Sequence, residues 1–384
     1  MKRFCCIFLC AVMLSCVLLP VSAADTGGVP AFGDNIDAKS AVLMEASTGE
    51  ILYEKNPDEA LPPASVTKVM TMLLVLEAID GGKIKLDDTV TVSDYASTMG
   101  GSQVYLKAGE TMTVSDLLKS VIVASANDAA VALAEFVAGS EEAFVAMMNS
   151  RASELGMMNT TFKNTNGLDD EDTGHLTSAR DIALMSREVL KHDLVFDYTT
   201  IWMDTIRGGA FGLTNTNRLV RFYRGCNGLK TGSTSKAGFC ISATAERDGM
   251  QLICVIMGST TKDARNSLAA SLLDWGFANY ARVSVPGGDT DPIPVCGGVK
   301  DCVAAEYPDF SVLLTRGAEK NIETVPELPS SVSAPVKQGD ILGHIVYKSG
   351  DTVLGTVDVT AKEDVARIGF FVLFLRMLDA FAIG

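Results

Sequence analysis

Histidine is nearly missing from this chain: His175, His192 and His344 are the only three in 384 residues. His175 follows a run of acids, His192 stands at the end of an expected helix, and His344 falls in a distant Val- and Gly-rich segment, so each reads as an ordinary surface or loop histidine. A Ser–His–Asp set therefore cannot be assembled. No H-E-x-x-H string or other cluster of histidines with carboxylates occurs either, which argues against a catalytic metal. Cysteine is scarce past the N-terminus. Cys5, Cys6, Cys10 and Cys16 crowd the first residues, and Cys226, Cys240, Cys254, Cys296 and Cys302 remain, without C-x-x-C spacing. Neither a disulfide framework nor a zinc site is expected from that odd remainder. Cys240 and Cys254 alternate with apolar residues and are expected to be buried; Cys296 and Cys302 could pair. Positive charge is in deficit, with 32 Lys and Arg against 47 Asp and Glu, a net −15. An acidic body of this kind disfavours nucleic acid and anionic membrane as general partners, though it leaves a local cationic pocket open. No internal repeat occurs.

Long apolar runs are confined to the two ends. Lys2-Arg3, the apolar run Phe4 to Leu19 and Pro20-Val21-Ser22-Ala23-Ala24 have the form of a secretory signal over 1–23, cleaved near Ala23. Cleavage would remove two cations, no acid and four cysteines. At the other end, Val365 to Gly384 is apolar apart from Arg367, Arg376 and Asp379. The stretch from Ile368 is short for a span and carries an arginine in its middle, so a helix over 362–384 is expected to lie in the bilayer interface.

Between these ends the local signals are regular. Residues 24–38 read as a linker. Ala41–Met44 and Glu50–Tyr53 around Ser47-Thr48-Gly49 read as a hairpin. Pro62-Pro63 precede Ser65, and helical periodicity runs from Val66 to Asp80 until Gly81-Gly82. Thr113-x-x-Asp116 is a capping box for a helix through Val123, and a further helix over Asp128–Ala138 is closed by Gly139. Helices are expected near 141–155 and 177–191, a hairpin of Ala237–Ala245 with Met250–Met257, and a helix over Asp263–Tyr280. Strands at both ends with helices between them predict an α/β (α+β) domain with a mainly antiparallel sheet over 39–282. Composition then shifts to Pro, Gly and Val, and a small β domain is expected over 283–361.

Three strings carry the chemistry: Ser65-Val66-Thr67-Lys68, Ser125-Ala126-Asn127 and Lys230-Thr231-Gly232, separated by roughly 60 and roughly 105 residues. Alone, each reads as a cap, a turn or a loop. Together they supply a serine, proton-transfer partners and a cationic strand for an anionic substrate end. On a helix, positions i and i+3 share a face, which brings Ser65 beside Lys68. A serine hydroxyl needs a base, and Lys68 serves only if neutral, which burial beside a second cation such as Lys230 favours. Ser125 can relay a proton to a leaving amine, Asn127 can bind a peptide carbonyl, and the helix start at Ser65 can stabilise an oxyanion.

The set resembles that of the low-molecular-weight penicillin-binding proteins, the serine-type D-Ala-D-Ala carboxypeptidases. The likeness extends to Thr48–Asn56 with Pro62-Pro63-Ala64-Ser65, to Asn166-Gly167-Leu168, to Gly174–Asp181, and to the β domain and apolar tail. The resemblance implies a penicillin-binding/β-lactamase-like serine transpeptidase fold. Ser65 would be the acylated nucleophile, Lys68 the general base, and Ser125 and Asn127 the relay and clamp. Lys230 and Thr231 would hold the terminal carboxylate with support from Arg265, Gly232 and Ser233 would also belong to the substrate-binding set, and the N–H groups of Ser65 and Ser233 would form the oxyanion hole. Also implied are no cofactor, removal of the terminal D-Ala from peptidoglycan pentapeptides, covalent trapping by β-lactams, and a place at the outer face of the cytoplasmic membrane. Asn166 stands where members often carry histidine. A β-lactamase, drawing a deacylation acid from Asp169–Asp172, and a scaffold with a vestigial site are the alternatives.

Overall fold

The computed structural model describes residues 29–33, 35–168 and 174–375. The signal, much of the linker, the acids Asp169–Asp172 and the end of the tail lie outside the described residues.

A five-stranded sheet forms the spine. Its spatial order is Ile51–Lys55, Ser40–Glu45, Met250–Ser259, Gly238–Arg247, Cys226–Thr234, and every pair is antiparallel. Side chains alternate across a strand, so successive residues serve different faces. Val42 and Met44 join one apolar cluster while Ala41 and Leu43 join another; Ile253, Val255 and Met257 likewise oppose Leu252, Cys254 and Ile256. A sheet that is apolar on both faces must be covered twice. The Lys262–Asn279 helix covers one face through Ala269, Leu272, Leu273 and Phe277. A helical layer covers the other: Lys68–Asp80, Val114–Val123, Asn127–Ala138, Glu141–Glu154 and Ala179–Val189.

The Lys68–Asp80 helix is the axis of that layer. Its residues from Lys68 to Leu76 are buried all round, as the unbroken run Val-Met-Thr-Met-Leu-Leu-Val-Leu requires. Truncating one of these leucines to alanine would cost about 2–5 kcal/mol, so the layer fixes its N-terminal residue firmly. Caps follow the local chemistry. Thr113 accepts from Asp116 N at 3.1 Å, Ser140 from Ala143 N at 3.1 Å, and Ser178 from Asp181 N at 3.2 Å. Gly139 ends its helix at φ +88°, a left-handed conformation that suits glycine.

A second, β-rich unit follows. Gly288–Asp289, Ala305–Tyr307, Thr352–Ala361, Ile341–Ser349 and Ile322–Glu327 make a five-stranded sheet around a core that includes Ile345, Tyr347 and Val359. The strand Tyr280–Val285 pairs with Phe310–Thr315, and Arg316 Nε donates to Phe277 O at 2.8 Å, tying this unit to the end of the covering helix.

Residues 362–368 belong to the β unit and not to a tail helix. Val365 is fully buried and exchanges backbone hydrogen bonds with Val336, and Ile368 N donates to Gly297 O. The apolar helix therefore begins later than the expected 362, with 370–375 helical. Among the described residues no helix is long and apolar enough to cross a membrane. Cys226, Cys240 and Cys254 are buried, and Cys296 and Cys302 are exposed; among the described residues none of the five forms a disulfide, so the pairing of Cys296 with Cys302 is not made.

Candidate active site

Ser65 sits in a single 3-10 turn, Ala64–Thr67, that feeds directly into the Lys68 helix. It thus precedes the α-helix proper, where the sequence alone suggested its first turn. The turn is held from outside. Ala64, at φ +48°, is a non-glycine residue in the left-handed region, a strain that persists only where surroundings impose it. Gly232 supplies part of that constraint: a Cβ there would lie 2.8 Å from both Pro63 O and Ser65 N. Only glycine lets the Cys226–Thr234 strand run so close to the serine.

Lys68 is fully buried, and its Nζ has three partners: Ser65 Oγ at 3.1 Å, Asn127 Oδ1 at 2.6 Å and Asn166 O at 2.8 Å. The Asn127 amide is oriented because its Nδ2 donates to Gly100 O at 2.7 Å. Burial first, and then the neighbouring Lys230 cation, hold the Lys68 pKa well below the ordinary lysine value, with Asp128 pulling the other way. A neutral amine has two N–H bonds and one lone pair. Asn127 Oδ1 and Asn166 O can only accept, so they take both N–H bonds. The lone pair is left for the Ser65 hydroxyl.

The remaining expected residues converge on the same place. A cavity of about 160 Å³ is lined by Ser65, Ser125, Thr231, Gly232, Ser233 and Arg265, together with Ser102, Thr216, Phe239 and Lys262. Ser125, at φ +62°, is turned into the break between two helices. Lys230 is buried; its Nζ donates to Thr231 O at 2.8 Å, and the Thr231 hydroxyl donates to Thr216 Oγ1 at 2.9 Å. Burial and then Arg265 push Lys230 down to about 7. Arg265 is itself buried, donates to Cys240 O at 3.3 Å and to Asn266 Oδ1, and is lowered by burial only to about 10, so it stays cationic at neutral pH. A cation in the first turn of a helix opposes the helix dipole. Asp263 in the same turn offsets it in part, but Lys262 and Arg265 both line the cavity and make it a favourable place for an anion.

The chain and its fold are similar to those of known proteins. The D-alanyl-D-alanine carboxypeptidase family matches residues 26–261, and the C-terminal domain of penicillin-binding protein 5 matches 293–367. The chain is 42% identical over 358 residues to D-alanyl-D-alanine carboxypeptidase DacF of Bacillus subtilis, covering 89% of each. The chain belongs to the D-alanyl-D-alanine carboxypeptidase family. Among solved structures, penicillin-binding protein 5 of Haemophilus influenzae superposes with a TM-score of 0.75 at 31% identity, over 88% of this chain and 100% of that one. Penicillin-binding protein D2 of Listeria monocytogenes in its ampicillin-bound form gives 0.59 at 33% identity, over 64% of this chain and 100% of that one. The protein is thus a serine carboxypeptidase of cell-wall metabolism built on the penicillin-binding fold.

Several residues of this candidate site were not visible in the strings. Asp128 is buried and its carboxylate accepts from Val104 N, Leu106 N and Ala129 N, fixing the loop whose Ser102 lines the cavity. Its position beside Asn127 was the only available signal. His175 is not an ordinary loop histidine: its ring touches Thr67 at 2.7 Å and Lys163 N at 3.0 Å, beneath the nucleophile turn. His192 and His344 do lie away from the site, paired with Asp80 and Asp358 respectively.

Proposed function

We propose that Ser65 is the residue acylated, with Lys68 as its base, in removing the terminal D-Ala from a peptidoglycan pentapeptide. The single observation that carries this reading is the buried Lys68 amine with two carbonyl-type oxygens on its N–H bonds and Ser65 Oγ on its third side. The Ser65 proton passes to Lys68 as Oγ attacks the penultimate D-Ala carbonyl. The Cys226–Thr234 strand brings Ser233 beside Ser65, so their two N–H groups form the oxyanion hole. The C–N bond breaks, and the proton moves from Lys68 through Ser125 to the departing D-Ala amine. Lys68 then takes a proton from water, whose oxygen cleaves the ester and restores Ser65. Lys230, Thr231 and Arg265 hold the substrate carboxylate, and that anion restores the Lys230 charge that burial weakens. β-Lactams would form the same ester and block the site.

The same reading divides the chain into a catalytic unit over 39–282 and a β unit from 283, both outside the cytoplasmic membrane. The apolar segment beginning near Phe370 then rests on that membrane's outer face. Phe370, Phe371 and Phe374 are 83%, 76% and 49% exposed, an apolar surface that a bilayer interface would cover.

Mass spectrometry of the penicillin-treated protein tests the assignment. The adduct is expected on the peptide containing Ser65, and Ser65→Ala should neither trap penicillin nor release D-Ala. An adduct elsewhere, or a Ser65→Ala protein that still turns over, removes the basis of this reading.

A further inference from the structure

We propose that His175 is a positioning residue that ties the nucleophile turn to the loop holding the general base. This rests on the reading of Ser65 and Lys68 as the reacting pair. His175 Nδ1 lies 3.0 Å from the backbone N of Lys163, a group that can only donate, so Nδ1 is the bare nitrogen of the ring. In the neutral imidazole the hydrogen then sits on Nε2, 2.7 Å from Thr67 Oγ1. Thr67 spends its own hydrogen on Ala64 O at 2.8 Å. Three hydrogen bonds therefore run in one direction, from Lys163 through His175 and Thr67 to Ala64, and each polarises the next. The Phe162 ring, edge-on at 5.8 Å, braces the imidazole.

The two ends of this chain are the two sides of the reacting pair. At one end Ala64 O belongs to the peptide immediately before Ser65, in the strained turn. At the other, Lys163 opens a tight loop in which Asn164 Oδ1 accepts from Gly167 N at 2.7 Å, turning Asn166 O onto Lys68 Nζ at 2.8 Å. The two segments are also in direct contact. A Cβ on Gly167 would fall 1.8 Å from Ala64 O and 2.6 Å from Thr67 Oγ1, so the loop seats only as glycine. Close seating without a tether would leave loop and turn free to slide. The imidazole sets their separation, and with it the angle between the lone pair of Lys68 and the hydroxyl of Ser65. The carboxylate-holding residues Lys230, Thr231 and Arg265 lie on the other wall of the site. Loss of the tether should therefore slow chemistry without weakening capture.

The experiment is acylation by a fluorescent penicillin, resolved into the saturating rate and the half-saturating concentration, with melting temperature measured on every variant. Thr67→Ser retains the hydroxyl that accepts from Nε2 and donates to Ala64 O and is expected to acylate within about threefold of the parent, whereas His175→Ala and Thr67→Val should each lose about tenfold or more in the saturating rate. Their half-saturating concentrations should stay unchanged. The double variant should be no slower than either single one, because both cut the same chain of hydrogen bonds. A His175→Ala protein with parental acylation overturns the proposal, as do losses that add in the double variant or a Thr67→Ser protein as slow as Thr67→Val. If His175→Ala fails to fold, the Thr67→Val and Thr67→Ser pair still decides. Loss of the Ser65 adduct from the parent protein would instead strike the reading of the nucleophile, a separate result.

Discussion

At the residue scale the chemistry turns on two lysines whose charges oppose each other. On the proposed reading Lys68 reacts only when neutral, and Lys230 holds an anion only when charged. The structure separates them by environment. Lys68 is surrounded by uncharged acceptors, whereas Lys230 is buried beside the cavity-lining Thr231, where on the proposed reading a substrate carboxylate would restore its proton. The sign of the pH dependence follows. As pH falls through the lowered Lys68 pKa, a proton occupies the lone pair and acylation drops about tenfold per pH unit. Lys230 is one cause of that lowering, so Lys230→Gln should raise the Lys68 pKa and move the acid limb to higher pH. Saturating acylation rates between about pH 5 and 9 measure the midpoint independently of weakened binding. An acid limb at the same midpoint in both proteins would show that the two amines do not sense each other.

At the element scale the site depends on how closely one strand approaches one turn. Gly232 is the point of contact, and its missing Cβ is what admits the Ser65 peptide. Gly232→Ala should leave the sheet and helical layer folded, because the neighbouring pairs Thr231 with Ile241 and Ser233 with Phe239 persist on either side. It should cut acylation by about 10²-fold, the scale of a misplacement near 1 Å. Stopped-flow acylation beside a melting curve checks this; a folded variant of parental rate would mean that strand and turn can part without cost. The elements themselves were largely legible in the sequence. Caps, glycine stops and hairpin turns are local chemistry, and Thr113, Gly139 and Arg247-Asp248-Gly249 act as their residue types require. The three strings were legible because helix, break and strand each present them toward one point. The His175 contact was not, since it joins residues 108 positions apart and depends on a loop path that no periodicity encodes. Asp128 stayed hidden for the same reason, because its value lies in the amides of Val104 and Leu106 more than twenty residues away.

At the scale of the whole molecule the acidic body and the apolar tail make opposite demands. A net charge of −15 disfavours an anionic surface, so the proposed attachment would come from apolar burial near Phe370, with Arg367 close by. Where the tail is cut then decides what is lost. Val365 is part of the β core, and Val336 and Val365 bond to each other through both backbone groups. A chain ending before Val365 should lose membrane binding and also melt several degrees lower, because a buried apolar side chain of this kind contributes about 1.5–3 kcal/mol. A chain ending at Ile368 keeps those contacts and the Gly297 hydrogen bond. It should melt with the parent, acylate with the parent and no longer float with phosphatidylcholine vesicles. Flotation, melting and penicillin acylation on the two truncations separate anchor from fold. If the chain ending at Ile368 still floats with the vesicles, the apolar segment is not what holds this enzyme to the membrane, and the attachment must reside in the β unit or the catalytic unit.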